Sequence, residues 1–175
     1  DLPSFPTRRS SDLLPYNRVV LDLRGMTPEE FIPKLHELGT FSKTDNPIPT
    51  QSGTCCIYLG KSNGWYSLEF ANINHDDPIA SLDVVLLQQR LLAPLLCVGD
   101  PRSDARIDFV GGIRGTDELE RRVDDGSAAI AFSMVATTID QLLNVADADQ
   151  IMPPKSTWFE HKLRSGLFVQ DRKSV

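Results

Sequence analysis

The chain has no run of about eighteen consecutive apolar residues, so no part of it reads as a helix that crosses a bilayer. It has no basic excess either. Its 18 Lys and Arg stand against 24 Asp and Glu, for a net charge of −6. A broad nucleic-acid or anionic-membrane surface needs a basic footprint, so neither partner is expected. Cysteine is scarce: there are three, and Cys55 and Cys56 are adjacent. They form neither a disulfide framework nor a Cys-x-x-Cys pair, and a reducing, cytoplasmic location is expected. The only histidines, His36, His75 and His161, are isolated from one another. His75 sits beside Asp76 and Asp77, but a metal centre needs a third convergent ligand, and no metal site is expected.

The two ends do not read as protein sequence of the same origin as the rest. Residues 4–13 are Ser-Phe-Pro-Thr-Arg-Arg-Ser-Ser-Asp-Leu, the translation of a common sequencing-library adapter. Residues 171–175, Asp-Arg-Lys-Ser-Val, translate part of the same adapter in reverse complement. Residues 1–13 and 171–175 are therefore set aside as adapter-derived. The remaining 14–170 is long enough for one domain with a substantial core.

The densest chemistry lies at residues 100–115, where Asp100, Arg102, Asp104, Arg106 and Asp108 alternate in charge before Gly111, Gly112, Arg114 and Gly115. Ile107 and Phe109 take the opposite parity from Arg106 and Asp108, the period-two pattern of a strand. The glycines then suggest a tight turn into a helix, a context that can cradle an anion on free N–H groups. The phosphate-loop pattern itself is absent, because the glycines are wrongly spaced and no Lys-Ser or Lys-Thr follows. The competing reading is that the alternating charges form ion pairs that fix a bend. A second cluster follows at Pro153, Pro154, Lys155, Ser156, Thr157 and Trp158. It would hold a phosphate or carboxylate, or else form a fixed turn whose hydroxyls bond to backbone.

Around these clusters the pattern reads as α+β (mixed α/β): a sheet of short strands covered by helices, with a β-hairpin, in a single-domain fragment. Residues 18–23 read as a strand. Thr27, Pro28 and Glu30 make a capping box that opens a helix ended by Gly39. Residues 40–52 read as an irregular loop. Residues 55–59 and 65–70 form a hairpin about Asn63 and Gly64. Residues 79–96 read as a buried central helix capped by Ser81, with Asp83 paired to an arginine of the 102–114 stretch. Thr116 caps a short helix over 117–123, and 128–135 is a strand buried on both faces. Thr138 and Gln141 form a second capping box. They open a helix with Ile139, Leu142, Leu143 and Ala146 as its apolar face. Residues 164–169 read as a turn into a closing strand.

Three runs together resemble a known family. They are Tyr16-Asn17-Arg18-Val19-Val20, then Gly99-Asp100-Pro101-Arg102 with 106–115, and Met152-Pro153-Pro154-Lys155-Ser156-Thr157-Trp158-Phe159 through Gly166-Leu167. They are similar to the bacterial and archaeal family catalogued as domain of unknown function 1015. The resemblance is read over nearly all of 14–170 and assigned to the family's C-terminal part. The Asp-Gly-His-His-Arg motif of that family's N-terminal half does not occur here. The resemblance therefore implies a missing N-terminal half as a partner of this one. That motif is similar to one in partitioning-type nuclease folds that include free-serine kinases.

The function expected from these residues is part of a small-molecule enzyme that binds a phosphate or carboxylate group. Its most concrete form is ATP- and Mg-dependent phosphoryl transfer to a small hydroxyl compound. The expected anion- and substrate-binding residues are Arg102, Arg106, Gly111, Gly112, Arg114, Lys155, Ser156 and Thr157. The candidate catalytic carboxylates are Asp104 and Asp108. The alternatives are a non-catalytic binding or regulatory protein of partitioning type, and a purely structural domain.

Overall fold

The computed structural model describes residues 13–159. Its centre is a six-stranded, wholly antiparallel sheet. The strands are β2 (Tyr16–Val20), β3 (Gly39–Lys43), β4 (Thr54–Tyr58), β5 (Trp65–Phe70), β6 (Ile107–Gly111) and β7 (Ile130–Met134), in the order β3-β5-β4-β7-β2-β6. A separate pair joins β1 (Leu13–Leu14) to β8 (Trp158–Phe159). This is a mixed α/β single domain, an antiparallel sheet covered by several helices, as the alternation of patterns predicts.

Strand β7 is the middle of the sheet, and all five of its residues are buried. Its alternate side chains supply both layers. Ile130, Phe132 and Met134 face the larger core, with Val20, Ile57 and Leu68 from neighbouring strands. Helix α1 (Pro28–His36) adds Phe31 and Leu35 there, and the helical segment over 83–96 adds Leu86, Leu87, Leu91 and Leu92. The opposite face collects Val19, Cys56, Tyr58, Trp65, Val110 and Ala131 under Leu119 of α4 (Asp117–Asp124). The Tyr58 hydroxyl donates to Asp124 at 3.1 Å, and the Trp65 indole N–H donates to Glu120 at 2.7 Å. Two aromatic bodies thus fill the layer while their polar tips fasten the helix.

Both capping boxes form as read: Thr27 with Glu30, and Thr138 with Gln141 at the start of α5 (Ile139–Asp147). The hairpin is β4–β5, with positive φ at Gly60 and Gly64.

Other expectations fail for identifiable reasons. Gly39 does not end α1, whose cap is Glu37. It begins β3, the edge strand that occupies the start of the expected loop. The segment over 79–96 is helical only from Asp83, and Leu82 precedes it without a side-chain cap. It runs as α2 (Asp83–Leu87), a π turn (Gln88–Leu92) and α3 (Ala93–Leu96), and Ala93 N–H bonds to the Gln88 carbonyl. Pro94 offers no N–H to the preceding turn, and a widened turn avoids the clash of its ring with that turn's carbonyl. Thr116 has helical φ and ψ, so its hydroxyl makes no cap bond. On α5 the buried residue is Val145, while Ile139 and Leu143 are about half exposed. The expected strand over 164–169 lies outside the described residues.

Candidate functional site

The alternating charges of 100–108 resolve into two local pairs, Asp100–Arg102 and Asp104–Arg106, and one longer pair from Asp108 to Arg122. α3 ends at Cys97 in the left-handed conformation, which leaves the last carbonyls of the helix without intrahelical partners. Arg106 takes that role. It donates to the Leu96 carbonyl at 2.9 Å, to the Cys97 carbonyl, and to Asp104 at 2.9 and 3.2 Å. Asp104 in turn accepts the Gly99 and Arg106 backbone N–H groups, each at 3.0 Å. The Arg106 side chain, aided by these N–H groups, holds the Asp104 carboxyl far below the usual carboxylate range. Arg106→Ala is expected to speed backbone hydrogen exchange at Gly99 while leaving β7 protected. Unchanged exchange at Gly99 would show that the ion pair does not fix this loop.

Arg102 grips Asp100 in a bidentate pair on the surface, and the Asp100 carboxyl falls to about 2 because of it. Asp108 binds Arg122 of α4 and its neighbouring Phe109 N–H. Burial pushes its carboxyl up, but the Arg122 and Phe109 hydrogen bonds outweigh burial and the net direction is down. Arg122 also reaches Glu118 at 2.8 Å. Arg114 stands exposed on a single 3-10 turn (Gly112–Arg114) and makes no ion pair or hydrogen bond among the described residues.

The two glycines serve close packing. A Cβ on Gly111 would come within 3.0 Å of the Trp158 ring, and one on Gly112 within 2.7 Å of Pro15. Asp83 is buried, but its partners are the Gly53 N–H and, at 3.1 Å, the Ser52 hydroxyl, rather than an arginine of 102–114. Burial raises its pKa against those bonds.

The second cluster is a fixed turn set against the first. The Ser156 hydroxyl donates to the Pro153 carbonyl at 2.7 Å, and the Ser156 carbonyl accepts from Thr137 at 2.8 Å. Lys155 has a positive φ, and its ammonium lies 5.9 Å from the Tyr16 ring centre and 5.5 Å from that of Phe109. Thr157 is half-buried beside it. The Trp158 ring packs at 5.1 Å on Tyr16. The motif runs beginning at Tyr16, Arg106 and Met152 therefore meet in space, through β2–β6 pairing and these ring contacts.

At their meeting point lies a residue the sequence reading quoted but did not single out. Arg18, in the middle of β2, is 3 % exposed. It pairs in register with Phe109 and Phe132 and lies 5.5 Å from the Phe109 ring centre. Its guanidinium has five N–H donors. Two carbonyls receive it, those of Tyr16 and Lys155, each at 3.1 Å. No carboxylate pairs with it among the described residues. Burial lowers its pKa to about 10, so it remains a cation at neutral pH. The available signal was parity: Arg18 shares the inward face of β2 with Val20, where a lone charge stands out.

Arg18 lines a cleft of about 260 Å³ together with Ile79, Val84, Val85, Pro101, Pro153 and Pro154. Gln88 and Gln89 border it. Two other clefts of similar size are polar. One lies under the 44–51 loop, above Cys56 and Glu69. The other lies between His75 and the α5 residues Gln141, Asn144 and Asp147. Neither is lined by Lys or Arg. Among the described residues, no group of three His, Cys, Asp or Glu side chains converges as a metal site would require. No helix among them is long and apolar enough to cross a membrane.

The family described as "Protein of unknown function (DUF1015)" matches residues 5–85, less than half of the chain. No curated protein and no solved structure matches. The match corrects the sequence reading in two respects. It falls on residues 5–85, the N-terminal part of this chain, whereas the resemblance is read over nearly all of 14–170 and assigned to the family's C-terminal part. It contains the run at Tyr16, but the runs over 99–115 and 152–167 lie beyond it. The missing N-terminal half, expected as a partner, also loses its basis, because the matched segment is already present from residue 5.

Proposed function

We propose that the domain binds the anionic group of a small molecule at Arg18, in the cleft between α2 and the Pro153–Pro154 turn. One observation carries this reading: a buried guanidinium, with two neutral acceptors and no counter-charge among the described residues, lines a cleft. Burying a charge without a partner is costly, and such groups are retained where they meet an opposite charge. Arginine suits a planar carboxylate, which it can hold with two parallel hydrogen bonds. The volume suits a small ligand, lying at the lower edge of ligand-pocket sizes. Nothing in this cleft favours the ATP- and magnesium-dependent transfer expected from the sequence, and the reading does not include it. Three free cysteines, two of them buried, support a reducing, cytoplasmic setting for this activity.

The test is calorimetric titration of the full chain with a panel of small carboxylates and phosphates, for wild type and Arg18→Met. Methionine fills a similar volume without charge. Loss of charge-assisted hydrogen bonds should weaken binding by roughly tenfold to a hundredfold. The melting temperature should hold or rise, because a buried uncompensated charge is removed. A variant that melts earlier and binds as well as wild type would make Arg18 a structural residue and overturn the proposal.

A further inference from the structure

We infer that the outer face of α5 is a docking surface for a basic, amphipathic helix of a partner protein. The apolar residues of α5 are placed where the core does not take them. Of its nine residues the core buries Val145, while Ile139 and Leu143 are 57 % and 51 % exposed. These two stand four apart and adjoin on one helix face, with the exposed Ala146 beside them. Single exposed apolar side chains are ordinary. A ridge of them along one helix is the pattern that packs against another helix.

The charge around the ridge selects the partner. Asp140, Asp147 and Asp149 are exposed, and residues 138–150 contain no Lys or Arg. None of the three carboxylates has an ion-pair partner among the described residues. Asp147 lies in the last turn, which holds no basic side chain. It therefore sits at the negative end of the helix dipole, the least favourable place for an acid. The cleft bordering α5, lined by His75, Asp76, Gln141, Asn144 and Asp147, adds the Asp76 carboxylate and no Lys or Arg. A helix with lysines or arginines flanking an apolar stripe meets both the ridge and these uncompensated acids. A second copy would bring the same acids against the same face, like charge against like. An anionic membrane would repel them too, and helices that lie on such membranes carry Lys and Arg.

The test is fluorescence-anisotropy titration of the full chain into a labelled synthetic helix of leucine and lysine, with leucines at i, i+3, i+4 and i+7. A scrambled peptide of the same composition and a counterpart with glutamate for lysine are the controls. The basic amphipathic peptide is expected to bind about tenfold tighter than either control, and added salt should weaken it. Leu143→Lys should weaken it about tenfold, as loss of a central apolar contact does. Asp147→Lys should weaken it about threefold to fivefold, the range of an exposed ion pair. Its melting temperature should hold or rise, since a cation suits that end of the helix. Failure of the peptide to bind wild type, or equal binding to Leu143→Lys, overturns the inference. A wild-type dimer in sedimentation that Leu143→Lys dissolves overturns it in favour of a second copy. Flotation with phosphatidylserine vesicles that the same variant abolishes overturns it in favour of a membrane.

Discussion

Gly39→Ala is expected to destabilise the domain by about 3 kcal/mol, near the upper end of what overpacking costs. A Cβ there would lie 1.9 Å from the Glu69 carbonyl oxygen and 2.9 Å from the Ala71 nitrogen. Both are backbone atoms of or next to β5, so no rotamer change relieves the contact. The Ala71 N–H bonds to the Leu38 carbonyl at 3.0 Å at this point, and Gly39 pairs in register with Phe70. The added methyl would force β3 away from β5. It would disturb the stacked Phe41 and Tyr66 rings, whose centres are 4.8 Å apart. Urea unfolding beside Gly99→Ala supplies the control, since a Cβ on Gly99 meets nothing within 4 Å. Equal midpoints for the two variants would show that β3 is not held against β5 as described.

Phe132→Ala should cost about 3–5 kcal/mol, the range for deleting a buried aromatic from a core that relaxes only in part. Phe132 has no exposed surface and stands at the centre of the central strand, with Ile57 and Arg18 as its cross-strand neighbours. The cavity would open beside the Arg18 side chain, so a weakened anion affinity should accompany the loss. Phe132→Leu, which keeps most of the volume, should lose less than half as much. The measurement is urea unfolding with the slope held constant, with Ile151→Ala at a 90 % exposed position as the neutral reference. A Phe132→Ala midpoint as close to wild type as that reference would contradict the packing of β7.

Much of the fold was readable because its signals are local. Thr27 and Glu30 lie three residues apart, as do Thr138 and Gln141, and each pair completes its box with bonds inside one turn. The hairpin is announced by glycines at both ends of its loop, and β7 by an apolar run broken only at Ser133. The failures share one cause. Gly39 could serve equally after a helix or against a neighbouring backbone, and only the strand pairing across thirty residues decides which. Thr116 has the right chemistry for a cap, but the 3-10 turn before it sets the wrong backbone angles.

The candidate site divides along the same line. The charges of 100–108 were legible as a concentration of chemistry. The Asp100–Arg102 and Asp104–Arg106 pairs match the ion-pair reading, but the further partners were not legible, because Arg106 also bonds to carbonyls at the end of α3 and Asp108 to an arginine of α4. Asp83 illustrates the converse: a buried acid needs a partner, and a backbone N–H with a serine hydroxyl served in place of the expected arginine. By itself the sequence determined the class of fold, the two capped helices, the hairpin and the buried strand, since each follows from side chains within a few residues of one another. Only the tertiary structure decided that Arg18 lies beneath a largely apolar cleft, without a counter-charge among the described residues. Its surroundings come from residues 79–88, 101, 109 and 153–155, which the chain brings together only when the sheet and its covering helices form.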